Sequence, residues 1–154
     1  MAPLSIDSPN SLKNFAGQVV VTDWLTLTAE RIRQFADATD DHQWIHVDAE
    51  RAKRESPYGT TIAHGFLTLS LLSHFTKQAI QMRDPGKMGV NYGLNRVRFP
   101  SAVRAGSQIR AHLSVQSTKE VPYGIEATFS IVIECQGEAK PCCVAEWVVR
   151  YYRE

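Results

Sequence analysis

No stretch of this chain is long and apolar enough to read as a membrane span. The most apolar run, Gly65 to Leu72, is interrupted by Thr68 and Ser70 and falls far short of the roughly 20 residues a spanning helix needs. Charge of one sign is also lacking. Seventeen Lys and Arg against sixteen Asp and Glu leave a formal net charge of +1, and no dense basic run appears, so neither nucleic acid nor a membrane is an expected partner. Cysteine is sparse: Cys135, Cys142 and Cys143 are odd in number and bunched. They form no disulfide framework and no Cys-x-x-Cys pair with a second half for a metal, and they read as buried thiols of a reducing compartment. Met1 to Leu12 lacks a basic segment followed by an apolar one, so no signal peptide is read and a cytoplasmic location is expected. Repeats, low-complexity tracts and Gly/Pro/Ser-rich linkers are missing too. One domain over residues 1–154 is the expectation, long enough to bury a core.

What is present changes character near Met88. Gly17 to Leu27 reads as a first strand, rich in Val and Thr. Thr28 is a helix N-cap with Glu30 in the first turn, and Ile32, Phe35 and Ala36 give about ten residues from Ala29 a helical stripe. Asp48 caps a second short helix through Arg54, and Ser56 to Gly59 is a loop. From His64 to about Ile80, apolar residues occupy most sides of the helical wheel, as in a buried helix of about 25 Å. Four runs with period-two alternation follow: Leu94–Phe99, Gln108–Val115, Ile125–Ile133 and Cys143–Tyr151. Consecutive strands with short connections favour an antiparallel sheet. One strand, an apolar helix and four further strands must share a core, so the sheet should curl around the helix, an α+β arrangement of the hot-dog kind.

The most polar stretch is Thr39-Asp40-Asp41-His42-Gln43-Trp44-Ile45-His46, placed between two short helices. Two carboxylates and two imidazoles within eight residues suit proton transfer near neutral pH. A capping network in which Asp40 or Asp41 ties down the next turn competes with that reading. So does metal ligation, although His42 and His46 are not expected on one continuous helix and no third ligand set stands out. The second feature is Thr60-Thr61-Ile62-Ala63-His64-Gly65-Phe66. Gly65 lets a ligand approach the backbone, and the first N–H groups of a helix are unpaired. Together they suit a polarised carbonyl oxygen, although Gly65 could equally serve tight helix–sheet packing.

Asp41 to His46, with Ala63-His64-Gly65-Phe66 downstream, resembles the MaoC-like dehydratase family, which includes the R-specific enoyl-CoA hydratases. The family motif Gly-Asp-x-Asn-Pro-Leu/Ile-His is matched by Asp41, Ile45 and His46. Asp40 stands for Gly, Gln43 for Asn and Trp44 for Pro, departures similar to the branch that includes nodulation protein N. That branch also carries Asn91-Tyr92-Gly93-Leu94 and Arg96-Val97-Arg98-Phe99-Pro100. The resemblance covers Ala29 to Ala105 well and the remaining strands by pattern.

The resemblance implies reversible syn hydration of a trans-2-enoyl thioester to an (R)-3-hydroxyacyl thioester. Asp41 and His46 would hold the water, Gly65 N–H would stabilise the oxygen on C1, and Ser73 would support the catalytic pair. No metal and no cofactor is implied beyond the coenzyme A of the substrate. Arg96 and Arg98, two apart on one strand face, suit the phosphates of CoA or of a carrier-protein arm, and also suit a solvated face or a subunit interface. Tyr92 and Asn91 are candidates for the acyl tunnel. Trp44 adds an aromatic beside the site, His42 reads as a loop residue and Asp40 as a loop or cap residue. Family members with one hot-dog unit pair through their sheets, so a homodimer is expected. A dehydratase acting on acyl-carrier-protein thioesters would use the same residues. A non-catalytic acyl-thioester-binding protein is the reading from another class, and the Asp41–His46 pair argues against it. A thioesterase would usually draw an acid from the long helix, where His64 to Ile80 has no Asp or Glu.

Overall fold

Alternating apolar residues in the C-terminal half build a sheet, and the helices of the N-terminal half lie on one of its faces. The computed structural model describes residues 2–153. Strand β1 (Leu4–Ile6) leads through a 3-10 segment (Pro9–Phe15) to β2 (Val19–Val21) and β3 (Leu25–Thr26). Helices α1 (Ala29–Thr39), α2 (Trp44–Val47), α3 (Ala49–Glu55), α4 (Gly65–Ser70) and α5 (Leu72–Ala79) follow. The chain ends in β4 (Ile80–Met82), β5 (Met88–Arg98), β6 (Gln108–Val121), β7 (Gly124–Cys135) and β8 (Cys143–Tyr152). The large sheet has the order β2-β6-β7-β8-β5, with β3 also on β6, and its pairings are antiparallel. Strands β1 and β4 form a separate parallel pair.

Alternation selects the inner face. Ile109, Ala111, Leu113 and Val115 of β6, Phe129, Ile131 and Ile133 of β7, and Ala145, Trp147 and Val149 of β8 join Leu67, Leu72, Phe75 and Ala79 of α4 and α5 in one core. Each large side chain so buried contributes about 1.5–3 kcal/mol. This is the α+β hot-dog architecture that the layers imply. All three cysteines are buried, and burial pushes the thiols of Cys142 and Cys143 up to about 12 and about 11.

The structure departs from the sequence reading in three places. The first strand divides into β2 and β3 because Thr22 replaces a ladder partner with its side chain: Ala111 N–H donates to Thr22 Oγ1 at 2.9 Å. The helix expected over His64 to Ile80 is interrupted at Leu71. The Ser70 hydroxyl donates back to Phe66 O at 2.7 Å, a contact that bends helices. Leu71 N–H is shared between Leu67 O and Thr68 O, each at 3.2 Å, and Ile80 already belongs to β4. Nor is the helix buried all round, since Phe66 is 68% exposed. Finally, β5 carries irregularities between Asn91 and Gly93 and between Leu94 and Arg96. These re-phase the strand, so that Leu94 opposes Trp147 on the core side while Arg96 and Arg98 oppose Glu146 and Val144 on the other. No helix among the described residues is long and apolar enough to cross a membrane.

Candidate active site

Asp41 and His46 are brought together by two short helices and one extended segment. Thr28 caps α1 by accepting from Arg31 N at 3.2 Å. The helix ends at Asp40, whose φ of 58° and ψ of 21° are left-handed. That is the position where the family motif has glycine, the residue this conformation strains least. The reversal presents Asp41 just beyond it. Gln43 N donates to Asp41 Oδ1 at 3.4 Å. The stretch Trp44–Val47 then forms a single helical turn, and Asp48 caps α3 through Arg51 N at 2.9 Å. Residues 61–63 run beside residues 103–105, with Ala63 N bonded to Val103 O at 2.8 Å and Ala105 N to Thr61 O at 2.9 Å. Ile62 N bonds Ile45 O at 3.0 Å, which ties this extended segment to α2.

The tautomers follow from the acceptors. His46 Nδ1 lies 2.7 Å from Ile62 O. A carbonyl only accepts, so Nδ1 carries the hydrogen and Nε2 keeps its lone pair. His64 Nε2 lies 3.0 Å from Asp41 O, so it also donates, and its bare Nδ1 is buried without a partner among the described residues. The rings of His46 and His64 stack at 3.7 Å and 23°. Phe35 of α1 closes on His64 from 5.0 Å. Burial holds the His46 imidazole below its ordinary value. The hydrogen bond to Ile62 opposes that shift, His64 adds to it, and Asp41 opposes it.

A cleft of about 490 Å³ opens beside His46, lined by His46, Tyr58, Gly65, Thr68, Phe99 and Arg104 among others, while Asp41 is not among its lining residues. Gly65 is the first residue of α4, and its backbone N–H has no partner among the described residues. A Cβ at Gly65 would meet the Phe99 ring at 3.1 Å, so glycine keeps the cleft open at that point. Arg104 is held by Glu138 Oε1 at 2.8 Å and by Tyr58 O at 3.3 Å.

Other sequence candidates lie elsewhere. Ser73 is on α5 and borders two further cavities, of about 300 and 690 Å³, with Asn91 and Trp147; it does not line the cleft of His46. Tyr92 sits beneath the Arg150 guanidinium at 3.5 Å. With Arg96 and Arg98 it lies on the sheet face away from the helices, and none of the three lines the cleft. Trp44 stacks under Arg51 at 4.4 Å. His42 pairs with Asp37 at 2.8 Å on the surface. The residue that the sequence reading passed over is His64, quoted only as the neighbour of Gly65. Its contact with Asp41 joins positions 23 residues apart, which no local spacing announces.

Asp41, His46 and His64 each offer a ligand atom within 4.8 Å of the others, so the third metal-ligand candidate absent from the sequence reading exists in space. The stack limits it. Imidazole lone pairs lie in the ring planes, and two rings stacked face to face hold those axes side by side rather than converging on one ion.

The MaoC like domain family matches residues 11–133, and the chain belongs to that family of dehydratases and hydratases. It is 48% identical over 149 residues to 3-hydroxyacyl-thioester dehydratase Z of Mycobacterium tuberculosis (strain ATCC 25618 / H37Rv), covering 96% of this chain and 97% of the relative. It is 43% identical over 128 residues to nodulation protein N of Rhizobium leguminosarum bv. viciae, covering 82% and 80%. Among solved structures, the (R)-hydratase from A. caviae involved in PHA biosynthesis superposes with a TM-score of 0.72 at 26% identity, covering 88% of this chain and 96% of that one. Membership together with the dehydratase relative supports a hydro-lyase.

Proposed function

We propose that this protein is an R-specific enoyl-CoA hydratase, adding water reversibly to trans-2-enoyl-CoA to give (R)-3-hydroxyacyl-CoA. One observation carries the reading. The ring of His46 lines the cleft together with Gly65 and offers a ring nitrogen within 4.8 Å of an Asp41 carboxylate oxygen, and Ile62 fixes it as the Nδ1–H tautomer with a bare Nε2. Such a nitrogen is a general base for water. Asp41 accepts the second hydrogen of the same water and orients it. His46 Nε2 removes the first as the oxygen bonds to C3. The C2=C3 electrons move toward the thioester, where Gly65 N–H stabilises the oxygen on C1. The imidazolium then returns its proton to C2 on the same face, so one water is added and the imidazole is regenerated. Dehydration is the reverse. The names of the thioester dehydratase relative and of the (R)-hydratase neighbour support this direction pair.

No metal enters this chemistry, so the rate should be unchanged after dialysis against a chelator. Strand β5 supports a homodimer. It is a sheet edge that exposes Met88, Val90, Tyr92 and Leu94, an unpaired apolar edge of the kind that pairs with another strand. The test of function is direct. Purified protein incubated with crotonyl-CoA and longer enoyl-CoAs should remove the conjugated enoyl absorbance and yield the R product on chiral analysis. Inertness toward short and long enoyl-CoAs alike would reject the reading. Faster turnover of the carrier-protein thioester than of the CoA ester would reassign the carrier.

A further inference from the structure

We propose that His64 is a positioning residue for the Asp41–His46 pair: it tethers the backbone that carries Asp41 and supplies the surface against which the His46 ring is seated. The inference rests on the hydration chemistry above. It asks for an imidazole at a position where a packing residue would not need one. His64 is 3% exposed and lies in the N-cap position of α4 without making a side-chain cap. Its side-chain hydrogen bond reaches 23 residues back, from Nε2–H to Asp41 O at 3.0 Å. The tether thus holds the backbone of the residue that carries the carboxylate. That carboxylate is 53% exposed, and its contacts, to Gln43 N at 3.4 Å and to His64 Nε2 at 3.9 Å, are both long, so the backbone tether bears on where it stands.

The second contact is the ring face. His46 and His64 stack at 3.7 Å, and Phe35 backs His64 on the side of α1. With Ile62 holding Nδ1, the stack fixes the remaining freedom of the His46 ring, its tilt. A base must be held in plane with the proton it removes. The groups that face His64 are Asp41 from the turn after α1, with Oδ2 3.9 Å from Nε2, His46 from α2, and the uncharged Phe35 from α1. The nitrogen nearest the Asp41 carboxylate already bears its hydrogen. The other nitrogen, Nδ1, is buried with no partner among the described residues.

Two substitutions separate the tether from the stack. His64→Phe keeps a ring against His46 and Phe35 but has no donor. His64→Gln keeps a side-chain N–H for Asp41 O and loses the ring. With wild-type turnover of crotonyl-CoA established, His64→Phe should lose kcat on the order of 10²-fold, with KM changed by less than about threefold. His64→Gln should recover kcat to within about tenfold of wild type. Nitrogen NMR of the ¹⁵N-labelled imidazoles in wild-type protein provides a readout independent of activity. His64, assigned by its loss in either variant, should carry its hydrogen on Nε2 and not on Nδ1 in the neutral ring. The Nδ1–H form overturns the proposal. So does wild-type kcat in a folded His64→Phe, or a folded His64→Gln no faster than His64→Phe. If His64→Phe does not fold, His64→Gln and the ring spectra decide. Wild-type protein inert on every enoyl thioester sinks the hydratase reading alone, and the ring spectra still judge the tether.

Discussion

His46 Nδ1 and Ile62 O lie 2.7 Å apart across 16 residues of sequence, and this one contact sets the chemistry of the site. It commits one ring nitrogen to the backbone and leaves the other with a free lone pair, as the proposed hydration requires of its base. It also couples the turn that carries His46 to the segment leading into Gly65, so the two residues are held in one frame.

His46→Gln should lower kcat on the order of 10²–10⁴-fold, the usual contribution of a general base, and Asp41→Asn should lower it comparably. The pH profile is signed. Burial, reinforced by His64, holds the His46 imidazole below its ordinary value of 6.5 against the pull of Ile62 and Asp41. The hydration rate should therefore fall on the acid side with its midpoint below 6.5. Because the folded value is depressed, the stability from keeping His46 neutral is full above 6.5 and is lost as pH falls through the folded value. A rate already halved at pH 7, or both variants folded with near wild-type rates, would refute the assignment.

Gly65→Ala tests the cleft. The new methyl would sit 3.1 Å from the Phe99 ring, and Phe99 lines the cleft, so the ring is displaced into substrate space. A drop in kcat/KM of about tenfold, equal to roughly 1.4 kcal/mol, is expected. Stability should hold or rise by up to about 1 kcal/mol, since alanine is the better helix former. Adding Phe99→Leu should restore activity if crowding is the cause, and the coupling is read from the double-mutant cycle.

Much of this was legible in the chain. The Thr28 and Asp48 caps and the alternation of β6 to β8 are local signals, and the structure has them; the Asp41-to-His46 spacing is local too, and the fold brings the two side chains within reach of each other. What escaped is non-local or cancels a local pattern. The contact of His64 with Asp41 needs the folded chain. The irregularities in β5 set Leu94 opposite Trp147 and Arg96 and Arg98 opposite Glu146 and Val144, which period-two counting cannot anticipate. Ser70 bends a helix whose apolar wheel looks continuous. Ser73 has the right helix but borders the cavities near Asn91, away from the pair.

Asp40 is the departure from the family motif that the backbone explains. Its φ of 58° costs an L-residue energy that glycine avoids, while glycine gives up unfolded-state entropy. Asp40→Gly should leave thermal stability unchanged or raise it by up to about 1 kcal/mol, with kcat retained. Asp40→Val should cost about 1–2 kcal/mol. Calorimetry checks both, and a marked loss in Asp40→Gly would mean that the carboxylate itself is needed.

Glu126 offers a stability test on the opposite face of the sheet. Its carboxylate is 9% exposed and is held by Lys119 Nζ and Arg150 Nε, each at 2.9 Å. Arg150 in turn covers Tyr92. Glu126→Gln leaves the partly buried Arg150 without its counter-charge, and a loss of about 1–3 kcal/mol is expected. Burial alone would push Glu126 up, but the hydrogen bonds and charges of Lys119 and Arg150 prevail and bring it below its ordinary value of 4.5. A carboxylate depressed in the folded state contributes stability that is full above its unfolded value and is lost as pH falls through the folded one. In urea titrations the gap between wild type and Glu126→Gln should thus stay constant from pH 7 down to about 5 and close below 4.5. A gap that persists unchanged at pH 3 would mean that the loss comes from packing and not from the ion pairs.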